Sequence, residues 1–314
     1  MLSDRVLPAA TRSWVGRQLA PGERLVSVRP LRGGWTSRMC RLTVAGAAPG
    51  AGRELVLRSF VTPFFRRHAP GLLGREFRVL GQLAATPVPA ATPLAVDPEG
   101  RAAAEPSLLM SLLPGAVRVA EDGRVAARSA ELARLLAVVH RVSAEGADRP
   151  RAYQAWTAPD RVRVPAGTAV PGLWRRAVAV IDRPPPAFVG RFLHRDFHPG
   201  NVLFDDAGRV SGVVDWVETS WGPSDLDVAH CASALALAHG PAAGLDFDRH
   251  YLAAGGVLAE RADDRRYWRV LDALGFAPDA EKVAGPWREL GRTDLTPELL
   301  TGRLESYLAA LLDG

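Results

Sequence analysis

The sequence predicts an α+β chain of two lobes: an antiparallel sheet of about five strands with one inserted helix, then a mainly helical lobe with a small β segment. Three observations lead there. Short runs with period-2 alternation crowd the stretch from Leu25 to Leu112. Pro114-Gly115 then breaks the chain, and apolar residues beyond it recur at helical spacing around one dense polar stretch. The boundary gives an N-terminal lobe over 1–113 and a C-terminal lobe over 114–314.

Taken in order, residues 5–20 read as an amphipathic helix carrying Val6, Leu7, Trp14, Val15 and Leu19. Leu25–Val28 is a candidate strand, followed by the glycine turn Leu31-Arg32-Gly33-Gly34-Trp35-Thr36-Ser37. Cys40, Leu42 and Val44 alternate with Arg41 and Thr43, as a half-buried strand requires. The Gly/Ala/Pro-rich stretch 45–52 is its hairpin loop, and Glu54–Arg58 the third strand. Leu73, Phe77 and Leu80 mark a helix over Gly71–Leu83. Thr92–Val96 and Ser107–Leu112 complete the sheet. Past Gly115, Leu132, Leu135, Leu136 and Val139 stripe a helix that ends near His140. Residues 144–172 are irregular, Trp174–Ile181 is helical, and Pro184-Pro185-Pro186 stops it. Phe192–Leu203 alternates strand and loop, Val210–Asp215 is a strand, and the chain from Leu226 onward is helical.

Composition narrows the function. Hydrophobic residues make up 47% and charged residues 23% of 314, ordinary values for a soluble globular chain. No apolar run approaches the roughly 18–20 residues that span a bilayer, and Met1–Gln18 lacks the apolar core of a signal peptide. Cys40 and Cys231 form no metal or redox spacing, so buried free thiols of a cytoplasmic protein are expected. The net charge of +5 divides unevenly: residues 1–140 hold 19 basic and 10 acidic groups, and residues 141–314 hold 20 and 24. The basic half suits a phosphate-bearing ligand; no basic strip suggests nucleic acid. Lys282 is the only lysine among 39 basic residues, a bias that resembles GC-rich coding rather than selection for arginine chemistry.

The densest polar constellation is His194-Arg195-Asp196-Phe197-His198-Pro199-Gly200-Asn201, an H-x-D-x-x-x-x-N pattern, followed by Val213-Val214-Asp215-Trp216. Phosphoryl transfer asks for one carboxylate beside the attacking hydroxyl and for oxygen ligands to a magnesium ion that bridges the phosphates. Asp196 and Asn201 supply the first and one ligand from a single loop, and Asp215 supplies a second ligand from the next strand end.

His194–Phe204 with Val213–Trp216 resembles the catalytic segment of the aminoglycoside phosphotransferase and choline kinase family, relatives of the protein kinases. The resemblance runs from the Gly33-Gly34 turn to about Cys231. It implies a two-lobe, protein-kinase-like fold with ATP or GTP between the lobes, Asp196 as catalytic base, Asn201 and Asp215 as magnesium ligands, and His194 and His198 as organisers of the loop. It further implies that Gly33 and Gly34 lie over the nucleotide phosphates, that Glu76 pairs with a phosphate-binding basic residue, and that Ser107–Pro114, with Met110 and Leu112, is the hinge that meets the purine. Asp227 in Trp221–His230 is implied to bond back to the catalytic loop, while Asp225 is expected to face solvent.

One position departs from the family. Its third strand offers a lysine, and here Arg58 stands in that place. An always-charged planar fork is not an ammonium, yet it can hold phosphate and a carboxylate. Arg58 is therefore read as a working replacement, against the rival of a nucleotide-binding pseudokinase. The acceptor is expected beside Asp196, with Tyr153, Trp156, Glu218 and Trp268 as candidate walls and Asp246, Asp248 and Trp287 as weaker ones. A second lobe only mildly acidic suits an acceptor with few charges, such as a macrolide, a nucleoside antibiotic or another sugar-bearing natural product, with resistance as the outcome. A metabolic kinase for choline, homoserine or a sugar is the alternative. Expected partners are the nucleotide and a small molecule, with no nucleic acid and no membrane, in a monomer or homodimer.

Overall fold

Cys40, Leu42 and Val44 do point to one side of a strand, and each is buried, whereas Arg41 between them is exposed. That strand, β2 (Arg38–Ala45), pairs with β1 (Arg24–Pro30) on one side and β3 (Gly52–Ser59) on the other. The structure is a computed structural model and describes residues 7–31, 37–48, 50–278 and 280–314. With β4 (Pro93–Asp97) and β5 (Ser107–Ser111), the sheet runs in the order β1-β2-β3-β5-β4, antiparallel throughout. A helix, α1 (Ala9–Arg17), lays Trp14 and Val15 into a core with Cys40, Leu42, Leu55 and Leu57.

The inserted helix, α2 (Pro63–Leu83), starts eight residues before the expected Gly71. Its first turn carries its own signal in Thr62-Pro63, since proline at a helix start loses no hydrogen bond. Pro70 inside the helix, followed by two glycines, hides that opening from a periodicity count. Leu73, Glu76, Val79 and Leu80 fall on the buried face, so a carboxylate sits among leucines.

The chain divides into two compact units: the part up to Pro114 together with Asp215–Val217, and Gly115–Val214 together with Glu218–Gly314. In the second unit, β6 (Ala116–Val117) pairs with β8 (Val202–Phe204), which pairs with β9 (Val210–Val213), and β7 (Arg191–Leu193) pairs with β10 (Ser220–Gly222). Gly115 opens this unit at φ +96°, and a Cβ there would stand 2.2 Å from the Ser211 hydroxyl, so only glycine fits. The helices are α3 (Val125–Val139), α4 (Pro171–Ile181), α5 (Ser224–His239), α6 (Pro241–Leu245), α7 (Phe247–Ala253), α8 (Ala262–Leu274), α9 (Glu281–Glu289) and α10 (Pro297–Asp313).

Helix α5 is apolar on every side and buried from Ser224 to Ala238, the profile of a central helix. It nevertheless carries Asp225, Asp227 and His230, each of which must find partners inside. Asp225 corrects an expectation: it is 6% exposed rather than solvent-facing, and its carboxylate accepts the Ala259 N–H at 3.1 Å. Burial raises its pKa to about 6, with the Ala259 bond opposing. The unfolded chain therefore releases this proton first, and stability falls as pH climbs from about 4 to about 6. Asp225→Asn keeps the acceptor and removes the charge. It is expected to stabilise the protein by up to about 3 kcal/mol at pH 7 and to have no such effect at pH 4, read by denaturant unfolding at both values.

Candidate active site

The H-x-D-x-x-x-x-N segment forms a loop between β7 and β8 that backbone and side-chain bonds close from several directions. Asp227, fully buried on α5, accepts the backbone N–H groups of His194 at 2.8 Å and Arg195 at 2.7 Å. The same carboxylate meets Nε2 of buried His140 at 3.2 Å. His194 takes the Asp196 N–H on Nδ1 and reaches the Val214 carbonyl with Nε2 at 2.9 Å. Val214 in turn donates its N–H to the Asn201 carbonyl. Arg195 is held at φ 78° and Asp215 at φ 66°, left-handed conformations that side chains other than glycine rarely adopt. Such strain survives only where the surroundings over-determine the backbone. Asp227→Ala strands several of those donors together, and a stability loss of at least about 3 kcal/mol is expected by denaturant unfolding. Asp227→Asn, which restores only one accepting oxygen, should recover part of it.

About a third of the Asp196 side chain (33%) is open to solvent. Its Oδ2 accepts from Asn201 Nδ2 at 3.1 Å, and Asn201 also donates to the Asp196 carbonyl at 2.9 Å. Its NH₂ is committed to Asp196, which leaves the amide oxygen as the end that suits a hard cation. The Asp196 Oδ1 lies 3.1 Å from Nε2 of His230. Burial pushes the Asp196 carboxyl up, but the His230 bond and the neighbouring histidines His198 and His194 override it and hold the group well below the usual range. Asp196 is thus ionised at any physiological pH.

In the first unit, Arg58 on β3 binds both oxygens of Glu76 on α2, at 2.9 and 3.0 Å. The same guanidinium reaches Asp215, Nη1 to Oδ1 at 3.0 Å and Nη2 to Oδ2 at 3.5 Å. Arg58 and Glu76 are almost wholly buried, while Asp215 keeps 36% of its side chain exposed. One cation therefore serves two carboxylates. Burial pushes the Glu76 carboxyl above the usual carboxylate range, Arg58 opposing and Asp215 adding to the rise. Burial works against the Arg58 charge, but Asp215 and Glu76 outweigh it and the guanidinium stays protonated. The third-strand arginine and the inward glutamate read from the sequence are thus in direct contact. Gly33 and Gly34, expected over the phosphates, lie outside the described residues. At the expected hinge, Met110 is an interior residue of β5 paired on both sides. The Ser111 N–H bonds Thr92 and the Leu112 N–H bonds Glu54, which removes both amide donors from a purine edge.

Of the expected acceptor walls, Trp156 is 41% exposed and stands edge-on to His230, ring centres 4.9 Å apart. Its other neighbour is the Arg195 guanidinium, 4.0 Å above the ring. Tyr153 contacts Phe188 and Trp268 edge-on. Trp268 is only 1% exposed, so it backs Tyr153 and Phe188 instead of lining open surface, a correction to its expected place. Trp287 is likewise core. Glu218 is engaged by Arg151 at 2.6 Å, Asp246 by Arg249, and Asp248 by Arg269. Sequence reasoning missed Phe188, 45% exposed, because a lone aromatic after a proline run carries no pattern. It also assigned no role to His230 or Asp272.

Residues 27–272 match the model of the phosphotransferase enzyme family, well over half of the chain. The chain belongs to this family. As a member of this family the chain is a phosphotransferase. Solved structures of the same kinase-like fold include aminoglycoside phosphotransferase APH(4)-Ia, at 16% identity and TM-score 0.62 over 97% of this chain and 98% of that one. A thermostable mutant of that enzyme, bound to ADP and hygromycin B, matches at 14% identity and TM-score 0.62 over 97% and 98%. The macrolide 2'-phosphotransferase MphH from Brachybacterium faecium matches at 18% identity and TM-score 0.58 over 92% and 99%. No match was found among curated proteins. Among the described residues of this phosphotransferase, no helix is long and apolar enough to cross a membrane.

Proposed function

We propose that this phosphotransferase moves the γ-phosphoryl group of ATP, or of GTP, to a hydroxyl of an antibiotic-like natural product, and so confers resistance. Asp196 takes the acceptor hydroxyl on its open carboxylate edge. Arg58, oriented by Glu76, holds the nucleotide phosphates. Asn201 and Asp215 each offer an oxygen that would suit magnesium, which when bound would neutralise phosphate charge. That donor set is all oxygen and fits a hard dication.

The observation that carries the acceptor class is Trp156. Its exposed ring abuts His230, and His230 contacts Asp196. An aromatic face one residue removed from the base, with exposed Phe188 in the same unit, favours a bulky, partly apolar acceptor over choline, homoserine or a free sugar. The complexes of the structural neighbours with ADP and hygromycin B support a nucleotide and a natural-product acceptor. Nucleotide consumption by the purified protein should be screened against macrolides, nucleoside antibiotics, aminoglycosides and the small metabolites, with ATP and with GTP. Turnover with an antibiotic-like acceptor is expected. Efficient turnover with choline, homoserine or a sugar alone would reassign the enzyme to metabolism.

A further inference from the structure

His230 stands between two carboxylates. Its Nε2 is 3.1 Å from Asp196 Oδ1, and its Nδ1 is 3.1 Å from Asp272 Oδ1 on α8. Ionised carboxylates only accept hydrogen bonds, so both ring nitrogens must donate, and a ring that donates twice is an imidazolium. The site is closed. His230 is 5% exposed and the Asp272 side chain 2%, with Phe276 stacked on the ring and Trp156 edge-on to it. We propose that His230 and Asp272 are positioning residues for the catalytic base: Asp272 keeps His230 charged, and charged His230 fixes the orientation of Asp196 while the acceptor hydroxyl engages its remaining lone pairs. This inference rests on the reading of Asp196 as the base.

The charge around His230 favours that state. Asp272 faces it from α8, and Asp196 and His198 face it from the catalytic loop. Burial lowers the pKa of the ring, but Asp272 and Asp196 overcome it and raise the value to about 9. A base held this way is a weak proton acceptor but a fixed hydrogen-bond partner, which suits a loose phosphoryl-transfer transition state that needs placement more than proton abstraction. Asp196, His198 and His230 are also close enough together to hold a metal ion. The hydrogen bonds argue against it. His198 Nδ1 accepts the Gly200 N–H, which puts the ring proton on the Nε2 that faces Asp196, and His230 Nε2 carries a proton as well. A metal needs both lone pairs bare.

The test is Asp272→Asn. Without the second carboxylate, the His230 pKa should fall toward the ordinary histidine value of about 6.5. NMR titration of the His230 ring in nucleotide-free protein reads this without turnover, with an upper value near 9 expected in wild type. In the variant, kcat at pH 8 should fall about tenfold and recover as pH is lowered to 6, while the nucleotide KM stays close to wild type. A structural defect would not be reversed by acid. A wild-type ring that titrates at or below about 6.5 overturns the inference, and so does a variant whose ring pKa falls while its kcat–pH profile stays that of wild type. Asp196→Asn separates the failures. Retained transfer in that variant sinks the assignment of the base, and this inference with it. Lost transfer beside an unmoved Asp272→Asn profile sinks this inference alone.

Discussion

Asp196→Asn is expected to lower transfer about 10²–10⁴-fold while leaving nucleotide affinity within a few-fold of wild type. The amide keeps the size of the side chain and loses the charge proposed to receive the hydroxyl hydrogen. It also leaves His230 facing a neutral group in place of one of its two carboxylates. Nucleotide binding should survive, because the Asp196 carboxylate contacts His230 and Asn201 within its own unit, whereas the group assigned to the phosphates is Arg58, held by Glu76, in the other. Steady-state kinetics with a hit from the acceptor screen, paired with calorimetric nucleotide binding, separates the two effects. Transfer within a few-fold of wild type would remove Asp196 from the chemistry.

Arg58→Ala should be the most damaging change in the first unit, in two ways. Glu76 is 2% exposed and loses its counter-charge, so it must take up a proton in the interior, and breaking this buried pair should lower stability by about 3–5 kcal/mol. Loss of a charge-assisted phosphate contact should lower kcat/KM about 10–150-fold, with the nucleotide KM raised. Glu76→Ala should cost a similar factor in kcat/KM. The double variant should fall well short of additivity, since the two groups act as one unit. Arg58→Lys is the sharper comparison. Arg58 Nη1 serves both Glu76 and Asp215, and Nη2 reaches Asp215 as well, a fork that one ammonium reproduces only in part. Partial activity in Arg58→Lys means charge suffices; near-complete loss means the fork is needed. If Arg58→Ala leaves both kinetic constants unchanged, another group holds the phosphates.

What the sequence made legible was local. His194, Asp196 and Asn201 lie within eight residues, and their spacing survives any packing, so the loop they form could be read directly. Arg58 and Glu76 were legible because each sits at a fixed phase of a periodic element: the end of an alternating strand, and one step from a leucine stripe. Tertiary partners were not. Asp272 follows His230 by 42 residues, and no pattern links them until α5 and α8 pack together. Asp225 was misjudged because an acidic residue in a helix's first turn usually meets solvent, and here the whole helix is interior. Strands β6, β7 and β10 are two or three residues long and exist only through their partners, so periodicity had nothing to count. Trp268 was placed on the acceptor surface for want of any signal that separates a lining tryptophan from a backing one.

On the proposed function, this chain transfers a nucleotide phosphoryl group to a natural-product hydroxyl through Asp196. Product analysis by phosphorus NMR and mass spectrometry tests it most directly, with wild type and Asp196→Asn run side by side on ATP, magnesium and an acceptor from the screen. A phosphate monoester on the acceptor is expected, formed in step with ADP by wild type and nearly absent with the variant. ADP formed without a phosphorylated acceptor, or the same ester formed equally well by Asp196→Asn, would contradict it.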